Sequence, residues 1–214
     1  MITTPPTIGF IGAGNMATAL IEGLLATGVS AASLYAADPG TEKLQALQAL
    51  GVNACADNPQ LVQACDVVVL AVKPQIMKAV LAPLQASFEQ HPCLLISVAA
   101  GIRIASLSQW THASQAIVRC MPNTPALVQA GASGLFANAA VTATQKAQAS
   151  AILGAVGLAC WLDNEAQLDA VTTLSGSGPA YFFLMMEAMQ AAGESLGLSP
   201  DVARQLCLQT AYGA

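Results

Sequence analysis

Residues 9–20 read GFIGAGNMATAL, an apolar run that ends in glycine and passes directly into helical spacing. Few folds accommodate a buried strand that becomes a helix within so short a turn. Gly12 permits the tight reversal, Gly14 lets backbone approach a ligand, and Ala17 allows the helix to lie close to the sheet. Asn15 and Met16 open the helix, so their amides, with the helix dipole behind them, face an anion in the turn. Glycine patterns of this kind also arise by chance. Here a strand precedes, a helix follows, and the acid Asp38 ends the next strand, 21 residues past Ala17. The coincidence predicts a dinucleotide on this turn.

The same alternation continues to about residue 121. Strands are predicted at 7–12, 33–38, 66–72, 93–100 and 115–121, and helices at 15–28, 41–51, 58–65, 75–88 and near 103–109. DVVVLAV at 66–72 is a continuous β-branched run, as in a strand covered on both faces. Strict alternation predicts an α/β fold: a Rossmann-type doubly wound, mainly parallel sheet with right-handed crossovers. Thr41 and Asn58 are expected as helix N-caps. After Pro122 the pattern loosens into a strand at 131–137, a helix at 142–157 and a strand at 158–163. From Asn164 onward only helices are expected, which divides the chain into a dinucleotide-binding domain, 1–163, and a helical domain, 164–214.

Composition enters because hydrophobic residues make up 55% of the chain, charged ones 9%, and the mean hydropathy is +0.57. That raises the question of a membrane. VVVLAV stops at Lys73 and AILGAVGLACWL at Asp163, short of the roughly 18–20 residues that a span needs. MITTPPT has no basic start and leads into a strand, so no signal peptide is expected. The reading is a soluble, cytoplasmic protein with faces buried between subunits. A net charge of −5 and a pI near 4.7, with no basic stretch carrying aromatics, make nucleic acid an unfavourable partner. The six cysteines form no CxxC pair and sit mostly in apolar runs, so buried thiols are expected and no metal site. His91 and His112 fall in loops and are expected to be exposed.

The candidate site follows from the sheet. Ala71, Val72, Lys73 and Pro74 leave a strand at the switch point, where a dinucleotide lies. Lys73 is either a solvated loop lysine or a contact to the ribose or a substrate carboxylate. Small residues such as Ala99 in SVAAG, 97–101, leave room for a nicotinamide ring. Asp38 favours NADH, since a carboxylate bonds a ribose 2′-hydroxyl and repels a 2′-phosphate. Thr41 and Asn58 could still take a phosphate, so NADPH and NADH both stay open. In VRCMPNTPA, 118–126, Pro122 and Pro125 hold an irregular turn, and Asn123 and Thr124 are offered to the nicotinamide amide or the substrate. Arg119 either attracts a carboxylate or pairs with an acid. In LSGSGPAYFF, 174–183, Pro179 suits the first helical position, with Gly178 or Ser177 as cap. Ser175, Ser177 and Gly178 are then expected to border the substrate at a helix N-terminus, unless the glycines serve only helix packing. Residues 180–186 are apolar all round, as in a helix buried between subunits.

GFIGAGNM, AVKPQ, SVAAG, RCMPNTPA and DAVTTLSGSGPAYFF, in this order, resemble the pyrroline-5-carboxylate reductase family from about residue 7 to the last residue. The resemblance implies reduction of the C=N bond of Δ1-pyrroline-5-carboxylate to L-proline by NAD(P)H, the last step of proline biosynthesis. It also implies a helical domain that interlocks two subunits, a homodimer that some members build into larger rings, and a frequent preference for NADPH. Family members continue past LQTAYGA, 208–214, through a Gly/Thr-rich segment that binds the substrate carboxylate and supplies a hydroxyl near the ring nitrogen. The chain is therefore expected to be incomplete, with the proton donor in the absent segment and no catalytic residue assigned. An imine protonates readily and needs little acid from the protein, which suits a chain with no Ser/His/Asp set and no activated cysteine. The rivals are a β-hydroxyacid-type dehydrogenase, for which no lysine follows Lys146, and a non-catalytic NAD(P)-binding dimer.

Overall fold

The computed structural model describes residues 5–213. The expectation for the N-terminal start falls partly on residues 1–4, which lie outside the described residues. The strands are β1 (Ile8–Ile11), β2 (Leu34–Ala37), β3 (Asn53–Ala54), β4 (Val67–Leu70), β5 (Leu94–Ser97), β6 (Ile117–Met121), β7 (Gly131–Ala137) and β8 (Gly157–Trp161). They form one sheet in the order β3-β2-β1-β4-β5-β6-β7-β8. The pairings from β3 to β6 are parallel, β7 runs antiparallel to β6, and β8 is parallel to β7. This is the expected Rossmann-type sheet. β3 was not expected: two exposed residues leave no apolar run to announce it.

The helices are α1 (Asn15–Ala26), α2 (Thr41–Ala49), α3 (Asn58–Ala64), α4 (Met77–Leu81), α5 (Gln85–Gln90), α6 (Ile104–Trp110), α7 (Ala143–Gly154), α8 (Gln167–Val171), α9 (Gly178–Ser195) and α10 (Pro200–Gly213). The single helix expected at 75–88 is divided into α4 and α5 by a 3-10 turn, Ala82–Leu84. Pro83 explains the break, since it has no N–H and clashes with the preceding turn. The caps also shift by one residue. Gly40 caps α2, and Asp57 caps α3 by accepting from the Gln60 amide at 2.8 Å, so Thr41 and Asn58 are the first helical residues. His91 and His112 are both half-buried rather than exposed, and His112 Nε2 is buried without a partner.

Helices α1, α2 and α7 pack with one face of the sheet, where Phe10, Leu20, Ile21 and Val69 are fully buried. The opposite face carries α3 to α6 over Leu61, Val68, Met77 and Phe88. Each such side chain contributes about 1.5–3 kcal/mol relative to exposure.

Beyond the sheet, α8 leads into a five-residue π turn, Thr172–Gly176, and Ser177 separates that turn from α9. α9 begins at Gly178 with Pro179 in its first turn, within a residue of the expected start. Ser177 has helical angles, φ −86° and ψ −22°, and caps nothing. α9 and α10 form a hairpin in which Gly193 admits Ala203 closely and the Cys207 Sγ–H donates to the Met186 carbonyl at 3.2 Å. Tyr181, Phe182, Phe183 and Leu184 are each more than half exposed in the single chain. An apolar face of that extent marks an interaction surface.

Candidate active site

The glycine turn after β1 is open toward the carboxyl end of the sheet. Gly12 has φ +97°, and a Cβ there would lie 2.8 Å from the Ala71 carbonyl oxygen and 3.0 Å from Val72. Only glycine lets the turn press against the end of β4. A Cβ on Gly14 would meet nothing within 4 Å, so the space above it is free for a ligand. Gly14 caps α1 without a side chain, and the first turn holds no acid, so its amides keep their capacity for an anion. The residues present thus fit the pyrophosphate of a dinucleotide. Asn15 is exposed at this edge, whereas the Met16 side chain packs on the core and leaves only its amide.

Asp38 ends β2 beside the turn. Its Oδ2 accepts from the Ala13 amide at 2.8 Å and its Oδ1 from the Gly40 amide at 2.7 Å. The carboxylate is fixed in orientation, and each oxygen retains capacity for another donor. Ala71 and Val72 border the turn, and Lys73 is exposed before the 3-10 turn Pro74–Ile76. Ala99 is buried beyond β5. Asn58 is half-buried at the start of α3, which packs on β1 and β2.

A second cavity, of about 380 Å³, has walls that include Asn123, Pro125, Ser175, Gly178, Pro179 and Phe182. It unites three of the five expected substrate residues. Thr124 is exposed beside it on the 3-10 turn Thr124–Val128, and Ser177 is half-buried outside its lining. That 3-10 turn packs on α1, the helix that opens at the phosphate turn. The Asn123 amide group does not point free: Nδ2 donates to the Ser175 carbonyl at 3.0 Å, and Oδ1 accepts from the Ala132 amide at 2.8 Å. The Ser175 hydroxyl donates to the Val171 carbonyl at 3.1 Å. Gly176 lies on Met121, where a Cβ would come within 3.0 Å of Cε.

Arg119 pairs with an acid. Its Nη1 donates to Glu165 Oε1 at 2.7 Å, and the same oxygen accepts from the Ile104 amide at 2.7 Å. One carboxylate thus ties β6 and the start of α6 to the turn before α8. Sequence reasoning missed Glu165, which stands 46 positions from its partner with no local signal. Four of the five buried thiols are held protonated, and Cys160 is exposed. Burial pushes Cys65, Cys93 and Cys120 up to about 12, and Cys55 also upward, so they stay protonated at neutral pH. Cys120 near the cleft is packing, not a nucleophile.

Residues 7–101 match the family described as NADP oxidoreductase, coenzyme F420-dependent, and residues 165–214 the family described as pyrroline-5-carboxylate reductase dimerisation. A pyrroline-5-carboxylate reductase from Pseudomonas aeruginosa is 55% identical over 210 residues, which cover 98% of this chain and 77% of that protein. Among solved structures, a pyrroline-5-carboxylate reductase from Coxiella burnetii superposes with a TM-score of 0.94 at 43% identity, over 98% of this chain and 78% of the other. A Plasmodium falciparum pyrroline carboxylate reductase with NADP bound gives 0.85 at 32% identity, over 97% and 76%.

Proposed function

This chain belongs to the pyrroline-5-carboxylate reductase family, and on that premise we propose that residues 12–17, Asp38 and 71–74 hold the dinucleotide while the cavity at Asn123, Ser175 and Gly178 takes the imine. The protein is an NAD(P)H-dependent oxidoreductase that reduces the C=N bond of Δ1-pyrroline-5-carboxylate to L-proline, the last step of proline biosynthesis. NADPH or NADH supplies the hydride. The chain's own part is to bind and orient: the first-turn amides of α1 receive the pyrophosphate, Asp38 faces the ribose, and Ala99 leaves space at the end of β5.

The observation that carries the assignment of the cavity is its chemistry. Among the described residues, its lining holds no titratable side chain: an asparagine, a serine, a glycine, prolines, a leucine and phenylalanines. A ketone would need an acid to protonate the developing alkoxide. A cyclic iminium takes hydride at carbon and needs only to be held and kept dry.

The division at residue 163 into a dinucleotide domain and a helical dimerisation and substrate domain belongs to the same proposal. The protein is a homo-oligomer. A homodimer through α9 is supported by the exposed run 181–184. Light scattering decides whether such dimers assemble further into a ring. No helix among the described residues is long and apolar enough to cross a membrane, and a cytoplasmic location is proposed with the rest.

The test is imine-dependent oxidation of NADPH and of NADH with Δ1-pyrroline-5-carboxylate. Turnover is expected with at least one of them. Turnover of a β-hydroxy acid with NAD(P)⁺ and none of the imine would replace this reading by the dehydrogenase one. Nucleotide binding without any turnover would favour a non-catalytic dimer.

A further inference from the structure

The Asn123 side chain is occupied at both ends, and its acceptor is a special one. In an α-helix the Ser175 carbonyl would accept from the amide of residue 179. That residue is Pro179, which has no N–H. The oxygen is left without a helical partner just where the π turn Thr172–Gly176 passes into α9. Asn123 Nδ2 supplies the missing donor at 3.0 Å, and the Ala132 amide, at 2.8 Å from Oδ1, holds the side chain in that orientation. The position demands an amide, because one end must donate and the other accept. An aspartate of the same shape would aim a carboxylate oxygen at the Ser175 oxygen. An aliphatic side chain would leave both backbone groups bare.

The bond also has no substitute. The hydroxyls of Thr172, Thr173 and Ser175 all turn back to carbonyls of their own helix, at Leu168, Asp169 and Val171. Among the described residues, the Asn123 contact is the one side-chain hydrogen bond that ties the segment 172–195 to the sheet. Gly178 is the one buried residue of α9.

We propose that Asn123 is a positioning residue of the reductase: it bridges β7 to the carbonyl that Pro179 orphans, and so fixes the wall formed by Ser175, Gly178, Pro179 and Phe182. The proposal rests on the reading that this cavity takes the imine. Asn123 lines the cavity, but both ends of its amide are spent on backbone groups, so it acts through Ser175.

A double-mutant cycle of Asn123→Asp and Pro179→Ala tests it. Alanine at 179 returns an amide within the helix's own reach of the Ser175 oxygen, which makes the donor from Asn123 redundant. N123D alone is expected to raise KM for Δ1-pyrroline-5-carboxylate about tenfold, with the dissociation constant of NADPH, read by fluorescence, changed by less than about twofold. In the P179A background the same replacement is expected to raise KM by less than it does with Pro at 179, because the lost donor no longer counts and only the repulsion between the carboxylate and the Ser175 oxygen remains. An unchanged KM in N123D overturns the proposal. An equal penalty in both backgrounds also overturns it, since it would mean that Asn123 meets the substrate directly. Should the wild type fail to turn over the imine, the functional reading falls, and the bridge is judged by thermal unfolding alone. There, the drop in midpoint caused by N123D must be smaller with Ala at 179 than with Pro; an equal drop refutes the bridge.

Discussion

Glu165 and Arg119 make unequal contributions, and the inequality is measurable. The Arg119 side chain is 7% exposed and that of Glu165 27%. Glu165→Gln removes the negative charge and leaves the guanidinium in place with a weaker acceptor. Breaking a buried pair from one side costs about 3–5 kcal/mol. The pair lines a cleft of about 360 Å³ shared with Arg103 and Asp169, so water reaches part of the guanidinium. A cost of about 2 kcal/mol is therefore the better figure. For a chain of this size it lowers Tm by about 4–8 °C. Arg119→Met is the milder change. It removes the buried charge, fills a similar volume, and leaves a carboxylate that is partly hydrated and still accepts from the Ile104 amide. Its cost is about 1 kcal/mol, or about 2–4 °C. The assay is thermal unfolding by circular dichroism, at one fixed protein concentration because oligomerisation contributes to Tm. The double variant should resemble R119M. If R119M costs as much as E165Q or more, the argument from the buried unpaired charge is wrong.

Two further predictions concern the dinucleotide end and the thiols. Asp38→Asn should raise the ratio of kcat/KM for NADPH over NADH about tenfold, because it removes a fixed negative charge beside the ribose, a change of roughly 1.4 kcal/mol; a ratio that stays within a factor of two would show that Asp38 only braces the Ala13 and Gly40 amides. At pH 8 a thiol whose pKa has risen to about 12 is ionised to roughly one part in ten thousand. A thiol-reactive dye should therefore label exposed Cys160 promptly and leave Cys65, Cys93 and Cys120 untouched until denaturant is added; prompt labelling of any one of these three would contradict the burial that raises them.

What the sequence discloses depends on the range of the physics involved. The phosphate turn is legible because a positive φ at Gly12 and a missing Cβ at Gly14 are local demands that a residue type answers directly. β1, β4 and β5 are legible because all four residues of each are buried, which requires an unbroken apolar run. β3 has two exposed residues and is held only by its pairing to β2, so nothing in its composition marks it. The pair Arg119–Glu165 and the bridge from Asn123 to Ser175 join positions 46 and 52 apart, and depend on how β6 and α8 meet. Asn123 and Ser175 are both visible as candidates beforehand, but their relation to each other is not.

In the segment 174–183 the chain around a helix start is used differently from what the local signal suggests. A proline after glycines reads as the first residue of a helix, with free amides ahead of it and an anion as their natural ligand. Here α9 does begin at Gly178, but a π turn runs up to it, and the Ser177 amide already donates to the Thr172 carbonyl at 2.9 Å. The Ser177 amide is spent on the π turn and is not offered to a carboxylate or a phosphate. What the proline exposes is the opposite polarity, an unpaired carbonyl, and a neutral amide from the neighbouring turn takes it. Gly176 then contributes by what it lacks, letting the turn rest on Met121, whereas a Cβ on Gly178 would meet nothing within 4 Å. The segment therefore forms an apolar wall of fixed shape beside the sheet, suited to holding a ring by its faces, and the negative charge of a substrate has to be met by other groups.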